Sequence, residues 1–254
     1  MSTVTMHVGD TYTVLELNRP KANAINLDLV HDLHQAITKL ATSDSVKGVI
    51  LTAKGSIFCA GLDVVELYDY SESEMDTFWV DFTRLLRDLI AFPKPLIAAI
   101  NGHSPAGGCV FSLCCDHRIM AHGDHTIGLN EVPVSIVVPE VIVELARFTL
   151  GDRKASQMLY NGLLLHPEQA REFGLVDETC PGNELMIWAE TKMKKWVDMP
   201  EDPWRAAKKS IRKPLVNRVA AMNQEENVGG TLRAWWDGDN RAKVGKLVEK
   251  LRAR

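Results

Sequence analysis

Cysteine is scarce in this chain and is not arranged for ligation. Cys59, Cys109, Cys114, Cys115 and Cys180 are five in 254 residues. An odd number in a chain of this length predicts reduced, mostly buried thiols rather than a disulfide framework. With no CxxC set among them they are better small hydrophobes than zinc ligands. Positive charge is not in excess either: 29 Lys and Arg face 33 Asp and Glu, for a net charge of −4. That balance argues against a nucleic-acid binder that works by neutralising phosphates. No apolar run approaches the ~18 residues of a membrane span. The opening MSTVTMHVGDTYTVLELNRP has neither a basic region with an apolar run nor an Arg-rich amphipathic pattern, and the closing KLRAR is not a peroxisomal signal. The expected compartment is therefore the cytoplasm, or an organelle if the chain is a processed form. No GK[ST] follows a glycine pair, and neither Ser104 nor Ser112 sits in a G-x-S-x-G elbow. A phosphate loop and a serine hydrolase are both disfavoured.

What is present is an ordinary globular composition, 46% apolar and 24% charged. A chain this long buries its own core without a metal or disulfide staple. Thr11 to Leu17 alternates with period two and predicts a strand. Leu27 to Leu40 has helical spacing with Asn26 as N-cap. The runs 46–52 (VKGVILT) and 94–100 (KPLIAAI) predict buried strands, with helices over Met75 to Ala91 and directly after Gly107. Strands alternating with helices indicate an α/β fold with parallel pairing. Beyond Pro139 the signals turn helical, with GDRKASQMLYNG and HPEQAREFG each stopped by a glycine. A boundary is expected near residue 200, before a charged helical tail.

Three loops carry the chemistry. SIFCAGLDV (56–64) and NGHSPAGGCVFSLCCD (101–116) each follow a predicted strand, and each has glycine where the backbone must approach something closely. Free N–H groups at the start of the helix after Gly107 favour negative charge there. The third loop, TIGLNEVPVSIVVP (126–139), holds a single carboxylate, Glu131, among apolar residues. A glycine pair before a helix is often mere close packing, and a lone loop glutamate is more often solvated than catalytic. Together, however, two N–H-presenting turns and one carboxylate are the equipment for deprotonating carbon beside a carbonyl. Val110, Val132, Val134, Ile136 and Val137 are the expected apolar surroundings of Glu131. The histidine pairs His31/His34 and His122/His125 lack a third ligand and are expected at the surface. Trp235-Trp236 is expected in the core or at a subunit contact.

These loops resemble the crotonase superfamily of enoyl-CoA hydratases and isomerases. The likeness is carried by NRPKANAIN (18–26), IFCAGLDV (57–64), KPLIAAINGHSPAGGCVFSLCCDHRIMA (94–121), IGLNE (127–131) and LLLHPEQAREFGLVDETCP (163–181), in register from about residue 10 to residue 182. It implies an α/β spiral of ββα turns over 1–199 and a C-terminal helical trimerisation region over 200–254. It further implies an acyl-CoA thioester substrate and an enolate intermediate, with no metal, no cofactor beyond the CoA of the substrate, and a homotrimer or dimer of trimers. The thioester oxygen would lie between the N–H groups of Leu62 and Gly107. CoA would lie along Lys21, Ala22 and Ala24 and along Ala60, Gly61, Leu62, Asp63 and Val64, and also against Gly107. The acyl tail is expected against the helix from Val64 and the region from Tyr68 to Phe78.

One departure from the family pattern narrows the chemistry. Hydratases of the family use two glutamates, and the first falls here on Val110, while the second falls on Glu131. A lone carboxylate lacks the partner that orients water, yet it can move a proton from C2 to C4. PAGGC followed by IGLNE is most similar to the Δ3,Δ2-enoyl-CoA isomerases of mitochondrial type. Hydration, another acyl-CoA reaction and a non-catalytic acyl-CoA-binding protein are the rival readings. Glu140, beside the position where dienoyl-CoA isomerases carry a second acid, is expected to favour its helix start instead.

Overall fold

The computed structural model describes residues 2–253. The chain opens with β1 (Val4–Val8), β2 (Tyr12–Leu17), α1 (Leu27–Thr42) and β3 (Gly48–Ala53). The next turns are α2 (Val64–Tyr68), α3 (Glu72–Ile90), β4 (Leu96–Ile100), β5 (Ser104–Pro105), α4 (Gly107–Cys114), β6 (His117–Ala121) and β7 (Ile127–Gly128). Then follow α5 (Glu140–Asn161), α6 (Pro167–Phe173), β8 (Glu178–Cys180) and α7 (Leu185–Val197). The chain closes with α8 (Glu201–Ala221), α9 (Gly230–Trp236) and α10 (Gly238–Arg252).

The main sheet has the order β1-β2-β3-β4-β6-β8, so each of its strands lies beside the preceding strand of the same sheet. Only β1 and β2 pair antiparallel; the other neighbours are parallel. Between successive main strands the chain makes a second, shorter set of pairings: the Ile25–Leu62 and Ile57–His103 bridges and the β5–β7 pair. This repetition is a spiral of ββα turns. β3 and β4 are buried along their whole length, as strands covered on both faces must be. One face sends Val49, Leu51, Leu96 and Ala98 into the large core with α1, α3 and α4. The other sends Ile50, Ile97, Ala99 and Ile119 against α7.

Local signals behave largely as the sequence predicts. Asn26 caps α1 by accepting from the Leu29 N–H. Gly162 and Gly174 adopt the left-handed conformation that ends α5 and α6. Two differences stand out. β1 is not legible in the sequence, because its outer half is exposed at the sheet edge and carries no clean alternation. Gly151 lies inside α5 with φ 73° and ψ 160°, a kink between two helical halves that no sequence signal marked.

All five cysteines are free and buried. His31 and His34 each reach an aspartate of α3, Asp81 at 2.8 Å and Asp88 at 2.6 Å, and so tie α1 to α3 at the surface. Trp235 is buried in the main core, where Leu215, Val219, Val244 and Val248 of the C-terminal helices also pack. The helices after residue 200 thus share one core with the spiral. Lys208 and Arg212 of α8 enter it as charges and meet Asp116 at 2.6 and 3.0 Å.

Candidate active site

The two glycine-bearing turns touch. A Cβ built on Gly107 would lie 2.5 Å from Ile25 Cδ1 and 3.4 Å from the Gly61 Cα. A Cβ on Gly108 would lie 2.4 Å from the Cys59 carbonyl oxygen. At Gly108 the Cβ would meet main chain, so glycine there lets the start of α4 lie against the 59–62 turn, whereas at Gly107 the near atom is the end of the Ile25 side chain. The close-packing explanation of the glycine pair is therefore true, and Leu62 and Gly107 line one cavity. Leu62 is held by the bridge to Ile25, with Ile25 N–H donating to the Gly61 carbonyl and Asp63 N–H donating to the Ile25 carbonyl, both at 2.8 Å. Gly107 opens α4 behind Ala106, a non-glycine residue at φ 48° and ψ −120°. Such a conformation costs on the order of 1–3 kcal/mol, a strain that concentrates where backbone groups must point at a ligand. Among the described residues no bond from the Leu62 or Gly107 N–H to a protein acceptor is present.

Glu131 lines the same cavity of about 390 Å³, with Leu62 and Gly107. It is 5% exposed, and its Oε2 has no hydrogen-bond partner among the described residues. Burial pushes its pKa up from 4.5 to about 7, partly opposed by its own backbone N–H. Among the described residues no other ionisable side chain lines the cavity. A carboxylate so placed is half ionised near neutrality, the condition for taking up and giving back a proton.

The apolar surroundings of Glu131 are not the run of valines around it. Val132 and Val137 are 51% and 44% exposed, against expectation, because the one-turn 3-10 helix Val132–Val134 turns Val132 outward. Val110 is buried on α4 but does not line the cavity. Val134 and Ile136 do, joined by Trp79 and Phe82 of α3 and by Leu247 and Leu251 of α10. Tyr68 and Phe78, at the ends of the expected tail region, lie outside the lining, while Val64 is inside it. The α10 contribution went unread in the sequence. Its one signal is the i, i+4 spacing of two leucines on an otherwise charged helix.

The other expected residues divide. Ala60 lines the main cavity, and its N–H donates to the Ala22 carbonyl at 3.0 Å. Lys21 and Ala22 lie in a left-handed turn (φ 59° and 74°) that lines a separate hollow with Lys54 and Ser56. Ala24 is half-buried, and its carbonyl accepts from Arg19. Asp63 caps α2 and pairs with Arg19 at 2.8 Å, so its carboxylate is engaged within the protein. Glu140 is the first residue of α5, and its neighbour Pro139 reaches the cavity lining instead. No group of three or more His, Cys, Asp or Glu placed to hold a metal exists among the described residues. No helix among them is long and apolar enough to cross a membrane.

Comparison with known proteins agrees with this geometry. The profile of the enoyl-CoA hydratase/isomerase family matches residues 9–232. The chain is 34% identical over 215 residues to mitochondrial enoyl-CoA delta isomerase 1 of Mus musculus, covering 84% of this chain and 74% of that one. It is 33% identical over 175 residues to a crotonyl-CoA hydratase of Syntrophomonas wolfei, covering 68% and 67%. The crystal structure of human mitochondrial delta3-delta2-enoyl-CoA isomerase superposes with a TM-score of 0.94 at 28% identity, covering 99% of this chain and 98% of that one. With its spiral fold, its paired N–H turns and these relatives, the chain belongs to the enoyl-CoA hydratase/isomerase family, the crotonase superfamily of enzymes.

Proposed function

We propose that this protein is a Δ3,Δ2-enoyl-CoA isomerase. The observation that carries the reading is that Glu131 is the single ionisable side chain among the described residues that line the cavity, while Val110 stands where a hydratase carries its first glutamate. The thioester oxygen of a 3-enoyl-CoA lies between the Leu62 and Gly107 N–H groups. The Glu131 carboxylate takes a proton from C2, the C2–H electrons move into conjugation, and the negative charge of the dienolate settles on that oxygen. The carboxylic acid then returns the proton at C4, leaving a 2-enoyl-CoA and an unchanged carboxylate. One oxyanion donor supplies ~10²–10³ in rate and general acid–base transfer ~10²–10⁴. The product is the substrate class of the hydration step in fatty-acid β-oxidation. A homotrimer, or a dimer of trimers, belongs to the same reading, supported by exposed apolar side chains such as Phe148 on α5 and Ile211 on α8.

The test is an assay of cis- and trans-3-enoyl-CoA beside 2-enoyl-CoA across chain lengths. Conjugated product from the 3-enoyl substrates with little 3-hydroxyacyl-CoA from crotonyl-CoA supports the reading. The reverse pattern makes the protein a hydratase, and binding without turnover of either makes it an acyl-CoA-binding protein.

A further inference from the structure

The segment that follows Glu131 has little to hold it in place from within. Its internal bonds are those of one short turn, Val134 and Ile136 N–H to the Glu131 carbonyl at 3.1 and 3.0 Å and Ser135 N–H to the Val132 carbonyl at 3.0 Å. Ser135 is left-handed at φ 63°, and Pro133 and Pro139 have no N–H to give. Pro139 also stands at the N-cap of α5, so no local side chain satisfies that helix start.

Three polar side chains from far along the chain do this instead. Asn240 of α10 donates through Nδ2 to the Ser135 carbonyl at 3.0 Å and to the Ala234 carbonyl at 2.8 Å. Thr231 of α9 is 3% exposed and donates to the Val137 carbonyl at 3.0 Å. Asn227 is also 3% exposed and accepts from the Val141 N–H at 3.0 Å, capping α5 from outside. Asn227 sits in a π-helical turn, Glu225–Gly229, a rare conformation that often marks a functional position. α10 is itself anchored on the spiral. The Arg241 guanidinium lies between the Tyr68 and Trp236 rings at 4.3 and 4.4 Å and donates to the Tyr68 carbonyl at 2.7 Å.

We propose that Asn227, Thr231 and Asn240 are positioning residues for Glu131. By bonding the main chain of 135–141 they hold the base in its dry place at the head of the cavity. This inference rests on Glu131 being the base. Ionisable groups on the elements packed around the loop include Cys109 on α4, Glu140 and Glu144 on α5, Glu225 and Glu226 in the π-helical turn, Arg233 on α9, and Asp239, Arg241 and Lys243 on α10. Cys109 is buried with its thiol pKa raised, Glu144 is paired with Arg147 and Arg218, and Arg241 is engaged as described.

The experiment compares Thr231→Val, Thr231→Ser and Asn240→Ala with the unaltered enzyme, reading kcat, KM and the acid limb of kcat/KM against pH. Loss of one tether loosens the loop and admits water to Glu131. The expected result for Thr231→Val and Asn240→Ala is a kcat about tenfold lower, corresponding to ~1.4 kcal/mol, with KM changed less than twofold. The acid limb moves below its unaltered midpoint, towards the ordinary carboxylate range. Thr231→Ser, which keeps the hydroxyl, restores both. An acid limb that stays in place in Asn240→Ala, or a Thr231→Ser enzyme no better than Thr231→Val, overturns the proposal. Glu131→Gln is run alongside and leaves the C-terminal helices untouched. If it retains turnover, the assignment of the base fails; if it is inactive while the tether variants keep their limb, only the positioning role fails.

Discussion

Gly61 and Gly107 are in contact: a Cβ on Gly61 would lie 3.4 Å from the Gly107 nitrogen and 3.0 Å from the Ala106 Cβ. The contact joins two turns that are 46 residues apart in the numbering, 107 less 61. It brings Leu62 and Gly107 to one cavity, and Gly61, at φ 85°, holds a backbone conformation that favours glycine.

Glu131→Gln should fold and bind acyl-CoA while losing ~10²–10⁴ of its turnover of 3-enoyl-CoA, the range of general acid–base transfer. Steady-state rates with a separate acyl-CoA titration check this. Turnover close to that of the unaltered enzyme would sink the assignment.

The rate should follow ionisation of Glu131. In the proposed reaction Glu131 acts as the carboxylate, and burial raises its pKa to about 7. kcat/KM should therefore rise with pH through a midpoint near 7, not near 4.5. A pH–rate profile with a midpoint in the ordinary carboxylate range contradicts the buried-base geometry.

The same shift makes a stability prediction of defined sign. The folded-state pKa is raised, so the folded protein binds more protons than the unfolded chain between pH 4.5 and about 7. Stability is fully present below pH 4.5 and is lost as pH rises through that window, by roughly 3 kcal/mol at ~1.4 kcal/mol per unit. Relative to the unaltered protein, Glu131→Gln should gain Tm at pH 8, and the gain should vanish at pH 4. Thermal melts at the two pH values decide it.

Gly108→Ala should damage the site through the backbone. The new Cβ would meet the Cys59 carbonyl oxygen at 2.4 Å, and a main-chain oxygen cannot swing away as a flexible side chain can. The start of α4 must shift, taking the Gly107 N–H from its place. A fall in kcat of ~10²–10³, the worth of one oxyanion donor, is the expected reading.

Asp116→Ala should unfold the protein more readily without touching the cavity. Asp116 faces both Lys208 and Arg212, whose side chains are each 8% exposed, and burial already pushes the Lys208 pKa down to about 8. Removing the shared carboxylate leaves two buried cations with one fewer partner and costs about 3–5 kcal/mol. Chemical denaturation measures it; a loss below 1 kcal/mol would show that the cations find other compensation.

Much of this protein is local and was therefore legible in its sequence. Period-two and helical spacing marked β2, α1 and α3, because burial of one face imposes its period on the residues that make it, and continuous apolar runs marked β3 and β4, which are covered on both faces. Asn26, Gly162 and Gly174 marked helix ends, because capping depends on the residue at the end itself. The two glycine turns, Glu131 and the missing acid at Val110 sit in short continuous motifs, so they too could be read in order. The tertiary structure alone decided what faces what. It turned Val132 and Val137 to the solvent and replaced them around Glu131 with Trp79, Phe82, Leu247 and Leu251, drawn from helices far along the chain. It brought Thr231 and Asn240 to the loop that carries Glu131 and Asn227 to the start of α5 behind it. Such contacts depend on the path of the spiral and the return of its last helices, and no local period records where a chain comes back to.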